Sequence, residues 1–153
     1  GYLAGPKTAP TMSNALRETG YRKAMAACDL PSGDHWVRRG NLTAEGGYQA
    51  AMELFATAPE LTALMTHNDL MAIGAIQACQ EVGRRVPEEC AIVGFNDIDL
   101  AAMANPPLTT IRLDRHRFGF EMMNLLLEMI DNPGQQFPAR TIPMDGLIVR
   151  KSG

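Results

Sequence analysis

The sequence predicts an α/β fold built on a doubly wound parallel sheet. Short apolar runs alternate with longer helical patterns over its 153 residues. Alternation at that spacing calls for right-handed crossovers, which lay helices on both faces of a parallel sheet. Ala91-Ile92-Val93-Gly94-Phe95 is apolar without interruption, the pattern of a parallel strand covered on both faces.

The predicted strands are Tyr2–Ala4, Trp36–Arg39, Ala63–Thr66, Ala91–Phe95, Thr109–Leu113 and one within Arg140–Arg150. The predicted helices are Ser13–Cys28, Thr43–Thr57, Asp69–Val82 and Arg115–Asp131, with a short helical turn at Ile98–Met103. In the second helix Tyr48, Ala51, Met52 and Phe55 follow the i, i+3, i+4, i+7 spacing of an amphipathic helix lying on a sheet. Asn68 is placed to cap the third helix, and Gly83 can take the left-handed conformation that ends it. Pro106-Pro107 cannot continue a helix and forces an extended approach to Leu108-Thr109-Thr110-Ile111. Asn132-Pro133-Gly134 is a turn that closes the last helix.

Two helices are too apolar for a single sheet-facing stripe. Leu70–Ile76 is apolar on every side, and nine of the thirteen residues from Phe118 to Ile130 are Phe, Met, Leu or Ile. Helices of this kind must be covered on more than one face. A deep core position would serve, but a small domain has few. The reading preferred is a subunit interface for the first helix and a packing partner outside this chain for the second.

Composition sets outer limits. The chain is 46% hydrophobic and 20% charged, near the globular average, which excludes disorder and low-complexity polymers. A chain this long buries roughly two-thirds of its unfolded surface, so one core is affordable. No apolar run approaches the ~18 residues that span a bilayer, and no membrane partner is expected. A net charge of −3 argues against this segment alone gripping a phosphate backbone. Cys28, Cys79 and Cys90 lack metal-ligand spacing and read as buried free thiols in a reducing, cytoplasmic setting. The opening Gly1-Tyr2-Leu3 has no Met and starts partway into a strand, as a fragment would.

In open parallel sheets, ligands bind beyond the carboxyl ends of the strands. Those ends carry Gly5-Pro6-Lys7-Thr8 with Arg17 on the next helix, then Gly40-Asn41-Leu42-Thr43, His67-Asn68-Asp69, Asn96-Asp97 and Asp114-Arg115-His116. Amides and single charges converging on one edge suit a polyhydroxylated ligand, whose hydroxyls both donate and accept. Taken singly, Asn68-Asp69 reads as a helix cap and Asn96-Asp97 as a turn. Arg112, Arg115, His116 and Arg117, interrupted by Asp114, read as a solvated face rather than a nucleic-acid patch. No catalytic constellation is proposed: His35, His67 and His116 show no paired metal-ligand spacing. No nucleophile elbow, Walker loop or dinucleotide fingerprint follows a strand. The chain reads as a binder, not an enzyme, with no metal and no cofactor.

These residues together resemble the lactose-repressor (LacI/GalR) family of transcriptional regulators. The resemblance runs through Leu3-Ala4-Gly5-Pro6, Arg17-Glu18-Thr19-Gly20-Tyr21, Asn68 to Gly74 and Val86-Pro87-Glu88. It continues through Ile92 to Ile98, Pro106 to Ile111 and the closing Leu147-Ile148-Val149-Arg150. It implies the C-terminal part of a periplasmic-binding-protein-like effector domain, with residues 1–113 forming the second lobe. Residues 114–133 would cross into the first lobe and supply one of its helices, and residues 134–153 would return as a strand and tail. Most of the first lobe and an N-terminal DNA-binding domain would lie outside this sequence.

By position, the resemblance assigns effector contacts to Arg17, Asn41, Leu42, Asn68, Asn96 and Arg115. Arg17 matches the family's effector-clamping arginine and Asn68 its hydroxyl-binding amide. Asn96 stands where many sugar-binding members have Asp, and Leu42 and Arg115 stand where aromatic rings occur. The implied effector is a sugar, sugar acid or sugar phosphate, and the two arginines with fewer aromatics point toward the acidic members of that set. Ile73, Ile76, Gln77 and Met103 match part of a dimer surface. The implied function is effector sensing in a homodimeric regulator that meets operator DNA only through its separate N-terminal domain. The alternative is a periplasmic sugar-binding protein of a transporter, which shares the fold.

Overall fold

The computed structural model describes residues 1–7 and 12–153; Thr8, named above among the strand-end residues, lies outside them. Six strands form one sheet: β1 (Tyr2–Ala4), β2 (Val37–Arg39), β3 (Ala63–Thr66), β4 (Ala91–Asn96), β5 (Thr109–Arg112) and β6 (Gly146–Ile148), in the order β2-β1-β3-β4-β5-β6. The first five are mutually parallel, and β6 runs antiparallel to β5, with Arg112 opposite Gly146. The parallel sheet expected from the sequence is thus present, with one antiparallel strand added at its edge. No crossover precedes β6: the chain re-enters beside the carboxyl end of β5 and runs back along it, which makes the pair antiparallel.

Five helices follow the expected order: α1 (Met12–Ala27), α2 (Ala44–Thr57), α3 (Asp69–Glu81), α4 (Asp99–Met103) and α5 (Arg115–Asp131). Their ends have local causes. The Thr43 side chain accepts from Gly46 N, that of Asn68 from Met71 N and that of Asp114 from Arg117 N, so three helices begin on a side-chain cap. Gly83 has φ +73°, the left-handed exit anticipated there, and Gly134 has φ +89° in the turn expected to close α5. Trp36, expected to open β2, instead ends a one-turn 3-10 helix, Asp34–Trp36.

The sheet's two faces are covered unequally. On one, Leu3, Leu64, Ile92 and Leu108 meet Leu54 and Phe55 of α2 and Met71, Ala75, Ile76 and Cys79 of α3, together with Ala101 of α4. On the other, Tyr2 and Ala4 pack against Tyr21 of α1, and the Tyr2 and Tyr21 rings stack with centroids 5.3 Å apart.

The apolarity of α3 now has a source within the chain. Eight of its thirteen residues are buried, because it packs on the sheet with one side and meets α2, beside it on the same face, at backbone contact with another. The deep core position, set aside in the sequence reading as too rare in a small domain, accounts for most of this helix. α5 differs: no residue in it is buried, and Phe120 and Ile130 are 66% and 63% exposed. Cys79 and Cys90 are buried free thiols as expected, whereas Cys28 is exposed, since it falls in the turn just past α1. Among the described residues no helix is long and apolar enough to cross a membrane.

Candidate functional site

Strand order 2-1-3-4-5 places the switch in winding direction between β1 and β3, where a crevice opens beyond the carboxyl ends. Arg17 projects there from α1, with its guanidinium carbon 3.7 Å from the Phe95 ring centroid at the end of β4. One of its N–H groups donates to the His67 carbonyl just after β3. Its other N–H groups meet no acceptor among the described residues. Desolvation lowers the Arg17 pKa, yet the group stays a cation because its ordinary value is so high. Stacking on Phe95 holds the guanidinium fork flat, which suits two oxygens of one ligand.

His67 lies under this cation. It is 6% exposed and its Nδ1 is 3.4 Å from the Tyr2 hydroxyl. Burial, reinforced by the Arg17 charge, lowers its pKa to about 4, so the ring is neutral at pH 7. Burial pushes the Tyr2 phenol up to about 12, against an opposing pull from Arg17. A folded value below the unfolded one means that the folded chain resists a proton the unfolded chain accepts. Stability is therefore full above about pH 6.5 and falls as the pH drops toward about 4, by on the order of 2 kcal/mol. Urea unfolding at pH 4.5, 5.5 and 7 should show this slope in the native chain and a flatter one in His67→Gln.

The neighbouring loops are joined by their amides. Asn68 accepts from Met71 N at 2.9 Å and donates to the Leu42 carbonyl at 2.9 Å. Asn68 is thus a helix cap that also fastens the β2–α2 loop, and it retains one N–H and one lone pair. Leu42 has φ +70°, a strained region for a branched side chain, and packs partly against the core. Asn41 accepts from the Thr43 backbone N–H and hydroxyl at 3.2 and 2.5 Å.

Beyond β4 the backbone turns through Asn96 at φ +111° and Asp97 at φ +52°. The Asn96 side chain makes no hydrogen bond among the described residues. Two adjacent left-handed residues are costly and tend to occur where function demands them. Arg115, at the start of α5, reaches the Asp97 carbonyl at 3.4 Å and the Asp99 carboxylate at 3.7 Å. The six residues singled out as effector contacts are therefore strung along one edge, linked by Leu42–Asn68, by Arg17 between His67 and Phe95, and by Asp97–Arg115. Asn68 and Asn41 are largely committed to their own loops, while Arg17 and Asn96 hold polar groups with no partner among the described residues.

Two residues here have roles that the sequence does not reveal. Phe95 was read only as the end of a strand; its position, last before Asn96 on the carboxyl edge, was the signal. Asp69 is fully buried and accepts from Thr110 Oγ1 at 2.5 Å and Ile98 N at 2.9 Å, so it ties β5 to the segment that follows Asn96. No spacing rule flags such a tertiary pairing. Ile73, Ile76 and Gln77 form one stripe of α3 beside Ala104 and Asn105, lining a shallow depression of about 310 Å³. Met103 precedes that segment and is 78% exposed, whereas Ile76 is covered. Among the described residues no cluster of three His, Cys, Asp or Glu side chains could hold a metal ion.

A family model described as periplasmic binding protein-like domain matches residues 1–153. The HTH-type transcriptional repressor CytR of Escherichia coli K12 is 37% identical over 153 residues, 99% of this chain and 44% of the repressor. The chain thus spans less than half the length of that relative. The structure of a transcriptional regulator CelR–cellobiose complex superposes with a TM-score of 0.91 at 34% identity, over 99% of this chain and 46% of the regulator. The lac repressor dimer bound to operator and an anti-inducer gives a TM-score of 0.88 at 30% identity, over 99% and 51%. The chain belongs to the periplasmic-binding-protein-like domain family, in the form of the effector-binding domains of LacI-family transcriptional regulators.

Proposed function

We propose that this chain is the larger part of one lobe of an effector sensor, which holds a sugar-like small molecule against the carboxyl edge of β1, β3 and β4. The observation that carries the reading is Arg17, stacked on Phe95 and held by the His67 carbonyl, with further N–H groups that meet no acceptor among the described residues. The matched CelR structure contains cellobiose, which supports a carbohydrate at this edge. Arg17 and Arg115 at two ends of the Phe95–Asp97 segment favour a sugar acid or sugar phosphate, because carboxylate and phosphate oxygens match a guanidinium fork.

The whole regulator works by population shift. Ligand favours one arrangement of two lobes, the arrangement sets the spacing of DNA-reading heads in a homodimer, and operator affinity changes. Ile73, Gln77 and Met103 would contribute to the dimer surface, and α5 would pack within the first lobe, which accounts for its uncovered apolar face.

A thermal-shift screen of neutral sugars, sugar acids and sugar phosphates against the two-lobed protein tests the reading. At least one compound should raise Tm, and Arg17→Ala should weaken its binding about 10- to 100-fold, the worth of one or two charge-assisted hydrogen bonds. Stabilisation by neutral sugars alone, with Arg115→Ala binding them unchanged, would exclude the acidic effector. Binding indifferent to Arg17→Ala would place the ligand elsewhere.

A further inference from the structure

Asp97 does more than turn the chain. Its carboxylate is nearly covered, at 7% side-chain exposure, and both oxygens are taken: Arg112 Nε at 2.7 Å and Arg150 Nη2 at 2.7 Å. Burial would raise its pKa, but the hydrogen bonds from Arg150 and Arg112 outweigh that and hold the carboxyl below its usual range. The two arginines occupy special places in the chain. Arg112 is the last residue of β5, just before the chain leaves the sheet for α5. Arg150 follows β6, where the chain has returned, and also donates to the Leu108 carbonyl at 2.7 Å. Asp97 itself follows Asn96, whose φ of +111° is strained.

We infer that Asp97 is a positioning residue, a latch that fastens the turn presenting Asn96 to both the outgoing and the returning leg of the chain. The bearing of this latch on effector binding rests on the function proposed above, but the mechanical coupling does not. Any displacement of Asn96 must be carried by Asp97 to Arg112 and Arg150, because one carboxylate bridges three segments. The left-handed backbone at Asp97 aims that carboxylate back toward the sheet edge. Arg115, Asp99, Asp114, Asp145 and His116 line the same crevice of about 360 Å³, so they form the charge background against which Asp97 titrates.

Amide hydrogen exchange on this chain tests the latch without any ligand, so its outcome is independent of the effector screen. Asp97→Asn keeps the size and tolerates a left-handed backbone while removing the charge. Exchange should quicken about 10- to 100-fold, the worth of a charge-assisted bond, at Asp145, Arg150 and Lys151 on the returning leg. It should quicken likewise at Arg117 and Phe118 on the outgoing leg, with the α3 amides unchanged. Arg150→Met should loosen the returning leg, and Arg150→Lys should restore much of it. In the native chain, leg exchange corrected for its intrinsic pH dependence should rise as acid protonates Asp97, and this rise should vanish in Asp97→Asn. Unchanged leg exchange in Asp97→Asn, or the same acid dependence with and without the carboxylate, overturns the inference. An effect of Arg150→Met that Asp97→Asn does not share does so too, since Arg150 would then act through Leu108 alone.

Discussion

Gly74→Ala is expected to destabilise the chain by about 3 kcal/mol or more, although alanine is the better helix former by about 1 kcal/mol. The reason is the contact between α2 and α3. A Cβ on Gly74 would overlap the Ala44 carbonyl oxygen and lie 2.6 Å from Tyr48 N. On the other side of the same contact, a Cβ on Gly47 would overlap the Met71 carbonyl oxygen. The obstacles are backbone atoms, so no rotamer change relieves them, and the helices must move apart. That separation would open the packing of Ala51, Ala75 and Leu54, all fully buried. Gly119 in α5 provides the contrast, because nothing lies within 4 Å of its would-be Cβ. Gly119→Ala should be neutral or stabilising by up to about 1 kcal/mol. Urea midpoints of the two variants measured side by side check the sign as well as the size.

Asp69→Ala should cost about 3 kcal/mol or more, through hydrogen bonding rather than sterics. The Thr110 hydroxyl and the Ile98 N–H both donate to this one carboxylate. Removing it strands the buried Thr110 hydroxyl and the partly buried Ile98 N–H, and a buried donor left unsatisfied costs about 1–3 kcal/mol. Asp69→Asn retains an acceptor oxygen and should cost less. Loss of the Ile98 bond should also loosen the start of α4, so exchange of the Ile98 amide should speed up more than that of amides in α2. The arrangement depends on Gly94, where a side chain would overlap Asp69 Oδ1. Equal stability of Asp69→Ala and the native chain would show that water replaces the carboxylate.

Much of the fold was legible in the sequence because its signals are local. The Asn68 cap, the Gly83 exit and the Asn132–Gly134 turn each follow from a few adjacent residues. Parallel strands announce themselves by continuous apolarity, as Ala91–Phe95 did. The direction of β6 was not legible, because it depends on the side from which a long excursion returns. The candidate site was half legible. Strand ends pointed to the carboxyl edge of the sheet, and Arg17, Asn68 and Asn96 stood out by type. Phe95 beneath Arg17, Asp69 between Thr110 and Ile98, and Asp97 between two arginines are pairings across more than a dozen residues, and no periodicity records them. The extreme apolarity of α3 misled in part, since Gly47 and Gly74 let α2 cover a face that composition alone left bare.

Ser152 occupies the seam between β4 and β5. Its carbonyl accepts from Ile92 N at 2.6 Å, its hydroxyl donates to the Ile92 carbonyl at 2.6 Å, and the same oxygen accepts from Thr109 N at 2.8 Å. The sheet is therefore finished by a residue synthesised 60 positions after the strand it closes. A ribosome emitting this chain releases β1 through β5, then the whole α5 excursion, before the closing residue appears. Over that interval the amino end of the β4–β5 seam lacks these hydrogen bonds, while α5 already carries its apolar side chains uncovered. Vectorial synthesis thus gives this lobe a window in which its least protected surfaces coexist, and it closes only when Ser152 slots in.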